Sequence, residues 1–124
     1  MTALSTFPAD LNVAVAGASG GIGAEFVRQF AADSRVARVY ALTRGQVEFP
    51  SDKVTPVRID FGDESSIAAA AERASGHDLD IVVFATGVLD GGDAVQPEKS
   101  LRDIDPDAMV EAFMTNTVGP ALIA

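Results

Sequence analysis

The sequence predicts an α/β domain built on a mostly parallel sheet, and three observations carry that expectation. Short apolar, β-branched runs alternate with stretches of helical periodicity, the pattern of strands joined by crossover helices. The runs are apolar almost throughout rather than alternating, as in strands buried on both faces. A glycine cluster, Gly17-Ala18-Ser19-Gly20-Gly21-Ile22-Gly23, stands between the first run and the first helical stretch.

Leu11-Asn12-Val13-Ala14-Val15-Ala16 reads as the first strand. A helix follows from Gly21, because Ile22, Phe26, Val27 and Phe30 fall at helical spacing and put one stripe against a sheet. Val36 to Leu42 and Val54 to Ile59 are the second and third strands by their β-branched content. Between these two strands Gly45 to Lys53 is short and rich in turn formers, so this crossover is expected to be a bare loop. Asp63 is expected to cap a helix through the alanine-rich Ile67 to Ala74, with Gly76 as its stop. Leu79 to Ala85, centred on Ile81-Val82-Val83-Phe84, is the fourth strand. Thr86 to Ile104 is long for a connection in a compact domain and follows the carboxyl end of a strand, so it is expected to wall a cleft. Asp105-Pro106 sets an N-cap before a proline at the first helical position and opens a last helix through Met109, Val110 and Phe113.

The 124 residues ask for one domain, 1–124, and 48% hydrophobic with 22% charged residues is the mixture of a folded globular chain. A formal net charge of −9 argues against nucleic acid or an anionic membrane surface as a partner, since both are themselves negative. The absence of cysteine removes disulfides, thiolate zinc sites and cysteine nucleophiles together. Met1 to Asp10 lacks Lys and Arg and does not resemble a secretory signal, and Glu111 and Asn116 interrupt the most apolar stretch. The expected location is cytoplasmic.

The glycine cluster is where a dinucleotide site places its tight turn. Gly17 allows the sharp turn, Gly20 and Gly21 let main-chain N–H groups approach a pyrophosphate, and Gly23 lets helix and strand pack closely. The helix N-terminus then faces the phosphate charge. The spacing is Gly-x-x-x-Gly-x-Gly, and no Gly-Lys-Ser/Thr follows it, so phosphoryl transfer is not expected.

With these residues the chain resembles the short-chain dehydrogenase/reductase family, whose Thr-Gly-x-x-x-Gly-x-Gly pattern it matches from Gly17 to Gly23 with Ala16 in place of the threonine. The resemblance implies a Rossmann-type doubly wound parallel sheet, of which this chain holds the N-terminal part with about four strands. It implies that Gly17, Ala18, Ser19, Gly20, Gly21, Ile22 and Gly23 hold a dinucleotide. Thr43-Arg44 ends the second strand where NADP-preferring members carry a basic residue, and a guanidinium there can pair with a 2′-phosphate. NADP(H) is therefore favoured over NAD. Asp60-Phe61 is similar to the family's Asp-hydrophobic pair at the adenine, although Asp60 could instead serve the nearby helix cap. Ala85-Thr86-Gly87 stands where the family has Asn-Ala-Gly, beneath the cofactor ribose. Asn116 aligns with the asparagine of the family's catalytic tetrad. Independently of the family, Pro120 has no N–H to bond the Asn116 carbonyl four residues earlier, which leaves that carbonyl for a water. Within the family the text most resembles bacterial C-factor-like reductases.

The activity the resemblance implies is hydride transfer to or from a small carbonyl or alcohol substrate, performed by a Tyr-x-x-x-Lys pair and a serine. That text is absent. The one tyrosine, Tyr40, has Arg44 four residues on and is expected in the core. The chain also ends at Ala124 within an apolar helical segment without a stop signal. The expectation is a domain truncated at its C-terminal end, homo-oligomeric in its full-length form and inactive as these 124 residues. His77 reads as a loop residue, and Asp103, Asp105 and Asp107 as helix caps, with no metal site. A non-catalytic dinucleotide-binding or sensor module, or a remnant that binds nothing, are the competing readings.

Overall fold

The computed structural model describes residues 4–88 and 97–124, which form two compact units, Met1–Ala85 and Thr86–Ala124. In the first unit the order is β1 (Leu11–Ala16), α1 (Gly21–Ala32), β2 (Val36–Thr43), β3 (Val54–Arg58), α2 (Glu64–Ala74) and β4 (Ile81–Phe84). The four strands form one sheet in the order β3-β2-β1-β4, every pair parallel. This is the Rossmann-type architecture expected.

β1 lies inside the sheet, and its burial accounts for its unbroken apolar text: Leu11, Val13, Val15 and Ala16 are almost wholly inaccessible. Leu11, Val13 and Val15 join Ala18, Val27, Phe30, Val36, Val39 and Ala41 in a single core. At roughly 1.5–3 kcal/mol for each large aliphatic side chain buried, this cluster is the main source of the unit's cohesion. β3 is an outer strand, which explains how it tolerates Pro56. That residue has no N–H to donate, and an edge strand loses least by it. The bare-loop crossover stands, with no helix between β2 and β3.

The stripe expected on α1 is only half right. Val27 and Phe30 are buried with Gly23, whereas Ile22 is 72% and Phe26 40% exposed. Gly23, Val27 and Phe30 follow one line at spacings of four and three, and Ile22 and Phe26 sit one residue earlier, rotated about 100° off it. Phe26 keeps a tilted ring contact with Phe30, centroids 5.9 Å apart. Asp63 caps α2 as expected, accepting from Ser65 N–H. Gly76 stands just past the helix end, yet Gly17 is the one glycine with positive φ among the described residues. The Ser75 hydroxyl instead donates to the Glu72 carbonyl. Tyr40 is buried in β2, so it is the core residue anticipated.

The second unit contains a 3₁₀ turn at Leu101–Asp103, α3 (Pro106–Phe113), a π-helical turn at Met114–Val118 and α4 (Gly119–Ile123). Asp105 caps α3 by accepting from Asp107 N–H at 2.9 Å, with Pro106 in the first turn as read from the sequence. Part of the long Thr86 to Ile104 connection lies outside the described residues. No helix among the described residues is long and apolar enough to cross a membrane.

Candidate functional site

Parallel pairing sends all four strands out of the sheet along one edge. Ala16 is level with Leu42 of β2 and Phe84 of β4, and Thr43 is level with Arg58 of β3. The glycine turn, Thr43-Arg44, Asp60-Phe61 and Ala85 therefore share the carboxyl edge of the sheet, where open α/β folds bind ligands.

The turn is built as its glycines require. Gly17 has φ 79, a left-handed conformation that side-chain-bearing residues avoid. Its N–H and that of Ala18 donate to the Leu42 carbonyl at 3.1 and 3.2 Å, which hangs the turn on β2. The position of the missing threonine is held by main chain: the Ala85 N–H donates to Ala16 O at 2.9 Å. Ala18 is buried, and Ser19, Gly20, Gly21 and Ile22 are exposed. The glycines then divide by role. A Cβ on Gly23 would lie 2.0 Å from the Gly17 carbonyl oxygen, so Gly23 serves packing. A Cβ on Gly21 would meet nothing within 4 Å, so the space over the first turn of α1 is open to a ligand.

The electrostatics agree. α1 has Gly20 at its N-cap position, so it has no side-chain cap, and no acidic residue lies in its first turn. Its first N–H groups have no helical acceptors, and the positive end of the helix dipole is left uncompensated. In α2 and α3 that end is met by an Asp cap and by Glu64 or Asp107.

Arg44 is exposed at the end of β2 and takes part in neither ion pair found among the described residues. Beneath it the buried Thr43 hydroxyl donates to the Gly45 carbonyl and fixes the turn that presents the guanidinium. Asp60 does not cap α2, since Asp63 does. The Asp60 Oδ1 accepts from Gly62 N–H at 2.9 Å, and its Oδ2 lies 3.6 Å from the Arg58 guanidinium. Phe61 beside it is half-buried.

In the second unit the Asn116 amide grips the main chain of Val88 twice. Its Oδ1 accepts from Val88 N–H at 2.7 Å, and its Nδ2 donates to Val88 O at 2.9 Å. Asn116 lies within the π-helical turn, and the Gly119 N–H reaches back five residues to Met114 O. Pro120, which cannot donate to Asn116 O, explains why the regular ladder is interrupted here. Gly87 runs close to the same amide, a Cβ on it falling 3.5 Å from Asn116 Oδ1. Thr86 Oγ1 is buried and has no hydrogen-bond partner among the described residues.

A family model described as NAD(P)H-binding matches residues 17–118, which is most of the chain. The chain belongs to the NAD(P)H-binding family. The structural neighbours of this NAD(P)H-binding chain are short-chain dehydrogenases/reductases, as the glycine spacing suggested. The NADPH-bound carbonyl reductase from chicken fatty liver superposes with a TM-score of 0.76 at 25% identity, over 94% of this chain and 46% of that one. A short-chain dehydrogenase from Leptospira borgpetersenii with bound NAD+ gives 0.76 at 22% identity, over 99% of this chain and 46% of that one. A polyketide synthase, ThaG, of Burkholderia thailandensis is 35% identical over 98 residues, 70% of this chain and 2% of that protein. The chain thus spans under half the length of these two solved structures and a small fraction of the synthase.

Ser66 was missed in the sequence. It is one of two buried polar side chains among the described residues, and it is bonded to Asp60. Its place three residues after the Asp63 cap is the signal that could have drawn attention to it.

Proposed function

We propose that this chain is the cofactor-binding part of an NADP(H)-dependent short-chain oxidoreductase that moves a hydride to or from a small carbonyl or alcohol compound. The observation that carries the reading is the uncapped N-terminus of α1 beneath the open space at Gly21. Main-chain N–H groups of the turn from Gly17 to Gly23 bind the pyrophosphate there, and α1 adds its dipole. Arg44 meets the adenosine 2′-phosphate, which favours NADP(H), and the Asp60 carboxylate accepts from the adenine amino group while Phe61 lines the ring. Ala85 passes beneath the ribose. In the second unit the Thr86 hydroxyl beside Gly87, without a partner among the described residues, suits a polar group of a ligand, and Asn116 orders the Val88 main chain. The nicotinamide, when bound, gives or takes the hydride.

The 124 residues contain no Tyr-x-x-x-Lys, so they bind cofactor without supplying the acid–base pair of this chemistry. The domain functions in the cytoplasm, as a homo-oligomer in its full-length form. A second reading, a dinucleotide-binding module without chemistry, is favoured by the burial of Tyr40 in β2. Calorimetric titration of the chain with NADPH and NADH tests the proposal. Saturable binding with NADPH preferred is expected, and binding of neither nucleotide at millimolar concentration would refute it. Carbonyl-dependent NADPH oxidation by the product of the whole gene separates the enzyme from the module.

A further inference from the structure

We propose that Ser66 is the positioning residue for the Asp60 carboxylate, and hence for recognition of the adenine amino group; the proposal rests on the cofactor reading above. Ser66 lies in the first turn of α2 and is 7% exposed. Its Oγ accepts from the Asp60 main-chain N–H at 2.8 Å, and its own proton has two carbonyl oxygens in reach, Asp63 O at 2.7 Å and Asp60 O at 3.1 Å. Capping α2 does not require these contacts, because the Asp63 carboxylate already accepts from Ser65 N–H. What they do is close the turn from Asp60 to Asp63 at both ends, together with the Asp63 N–H donated to Asp60 O at 3.0 Å.

The consequence falls on the carboxylate. With its main chain held, Asp60 folds Oδ1 back onto Gly62 N–H, and Oδ2 is the oxygen turned to other donors, the nearest being the Arg58 guanidinium at 3.6 Å. An acceptor held in one orientation before binding needs no ordering when the ligand arrives. Without the Ser66 hydroxyl the part-buried Asp60 N–H loses its acceptor, a cost that drives the turn to rearrange and the carboxylate to swing.

The test uses the difference between adenine and hypoxanthine, which carries a keto oxygen in place of the amino group and so sets an acceptor against the carboxylate. The full chain is titrated calorimetrically with NADPH and with its hypoxanthine counterpart. The wild-type chain is expected to prefer the adenine nucleotide roughly tenfold, the worth of one hydrogen bond to a charged acceptor. Ser66→Ala is expected to reduce that preference to within about twofold, and Ser66→Thr, which keeps the hydroxyl, to restore it. A preference undiminished in Ser66→Ala overturns the proposal, because a merely structural serine would lower both affinities alike. Should the alanine variant not fold, Ser66→Cys, nearly isosteric and a poor hydrogen bonder, is held to the same criterion. Equal wild-type affinity for the two nucleotides removes this proposal and leaves the cofactor reading standing, whereas binding of neither removes both.

Discussion

The α-carbon of Gly23 packs so tightly on the turn at Gly17 that an added Cβ would stand 2.0 Å from the Gly17 carbonyl oxygen and 2.7 Å from its carbon. Both atoms are main chain, so no side chain can swing aside to make room. Gly23→Ala is expected to destabilise the first unit by about 1–3 kcal/mol or more, the usual cost of overpacking. Thermal unfolding followed by circular dichroism gives the answer, and an unchanged midpoint would show that the approach of α1 to β1 is not tight.

Gly21 makes the opposite prediction. Its missing Cβ faces open space, and alanine is preferred to glycine within a helix, by roughly 0.5–1 kcal/mol at mid-helix and less at the end. Gly21→Ala should therefore keep or raise the thermal midpoint, while Gly21→Val should abolish binding of both NADPH and NADH. Retained binding in the folded valine variant would move the phosphate site away from this turn.

Arg44 is exposed, and the Thr43 hydroxyl beside it donates to the Gly45 carbonyl. Arg44→Ala is expected to weaken NADPH roughly 10- to 100-fold, the range of a charge-assisted hydrogen bond, and NADH less than about threefold. The difference should shrink with added salt. Equal losses for the two nucleotides would remove the case for NADP(H).

Asn116 holds Val88 by two hydrogen bonds from one amide. Asn116→Asp keeps the acceptor for Val88 N–H but sets a carboxylate oxygen against Val88 O. It should speed amide exchange at Val88 by roughly five- to tenfold, and Asn116→Ala by at least as much. Exchange at Val88 indifferent to both would mean that the pair contributes nothing to local order.

Two exposed carboxylates should shape the acid limb of stability. The side chains of Arg28 and Gln29 donate to Glu25 and bring its pKa from 4.5 to about 2. The Ser65 hydroxyl, then the N–H groups of Ser65 and Ser66, hold Asp63 below its usual 3.8. Both folded values lie below the unfolded ones, so the stability they contribute is complete above about pH 5 and is lost as pH falls through the folded values. Asp63→Asn keeps a cap and removes a titrating group, so its thermal midpoint should fall less than that of the parent chain between pH 5 and 2.5. Parallel curves would take Asp63 out of the acid transition.

The sequence by itself determined what is local. Element order, the turn at Gly17, the Asp63 cap and the Asp105-Pro106 helix start were all legible, because each depends on dihedral preferences and hydrogen bonds within a few residues. The glycine spacing also carried the family. Tertiary structure alone decided what depends on distant neighbours. The sheet order β3-β2-β1-β4 makes β3 an edge and so admits Pro56. Which side of α1 meets the sheet left Ile22 and Phe26 exposed although their spacing matched a buried stripe. The sequence singles out Asn116 by its family alignment and its carbonyl, and only the fold shows its side chain clasping Val88, 28 residues away in sequence. Periodicity records that a face is apolar, but not how far it is covered. Burial and long-range pairing arise only when segments far apart in the chain meet, and no short window of sequence contains both partners.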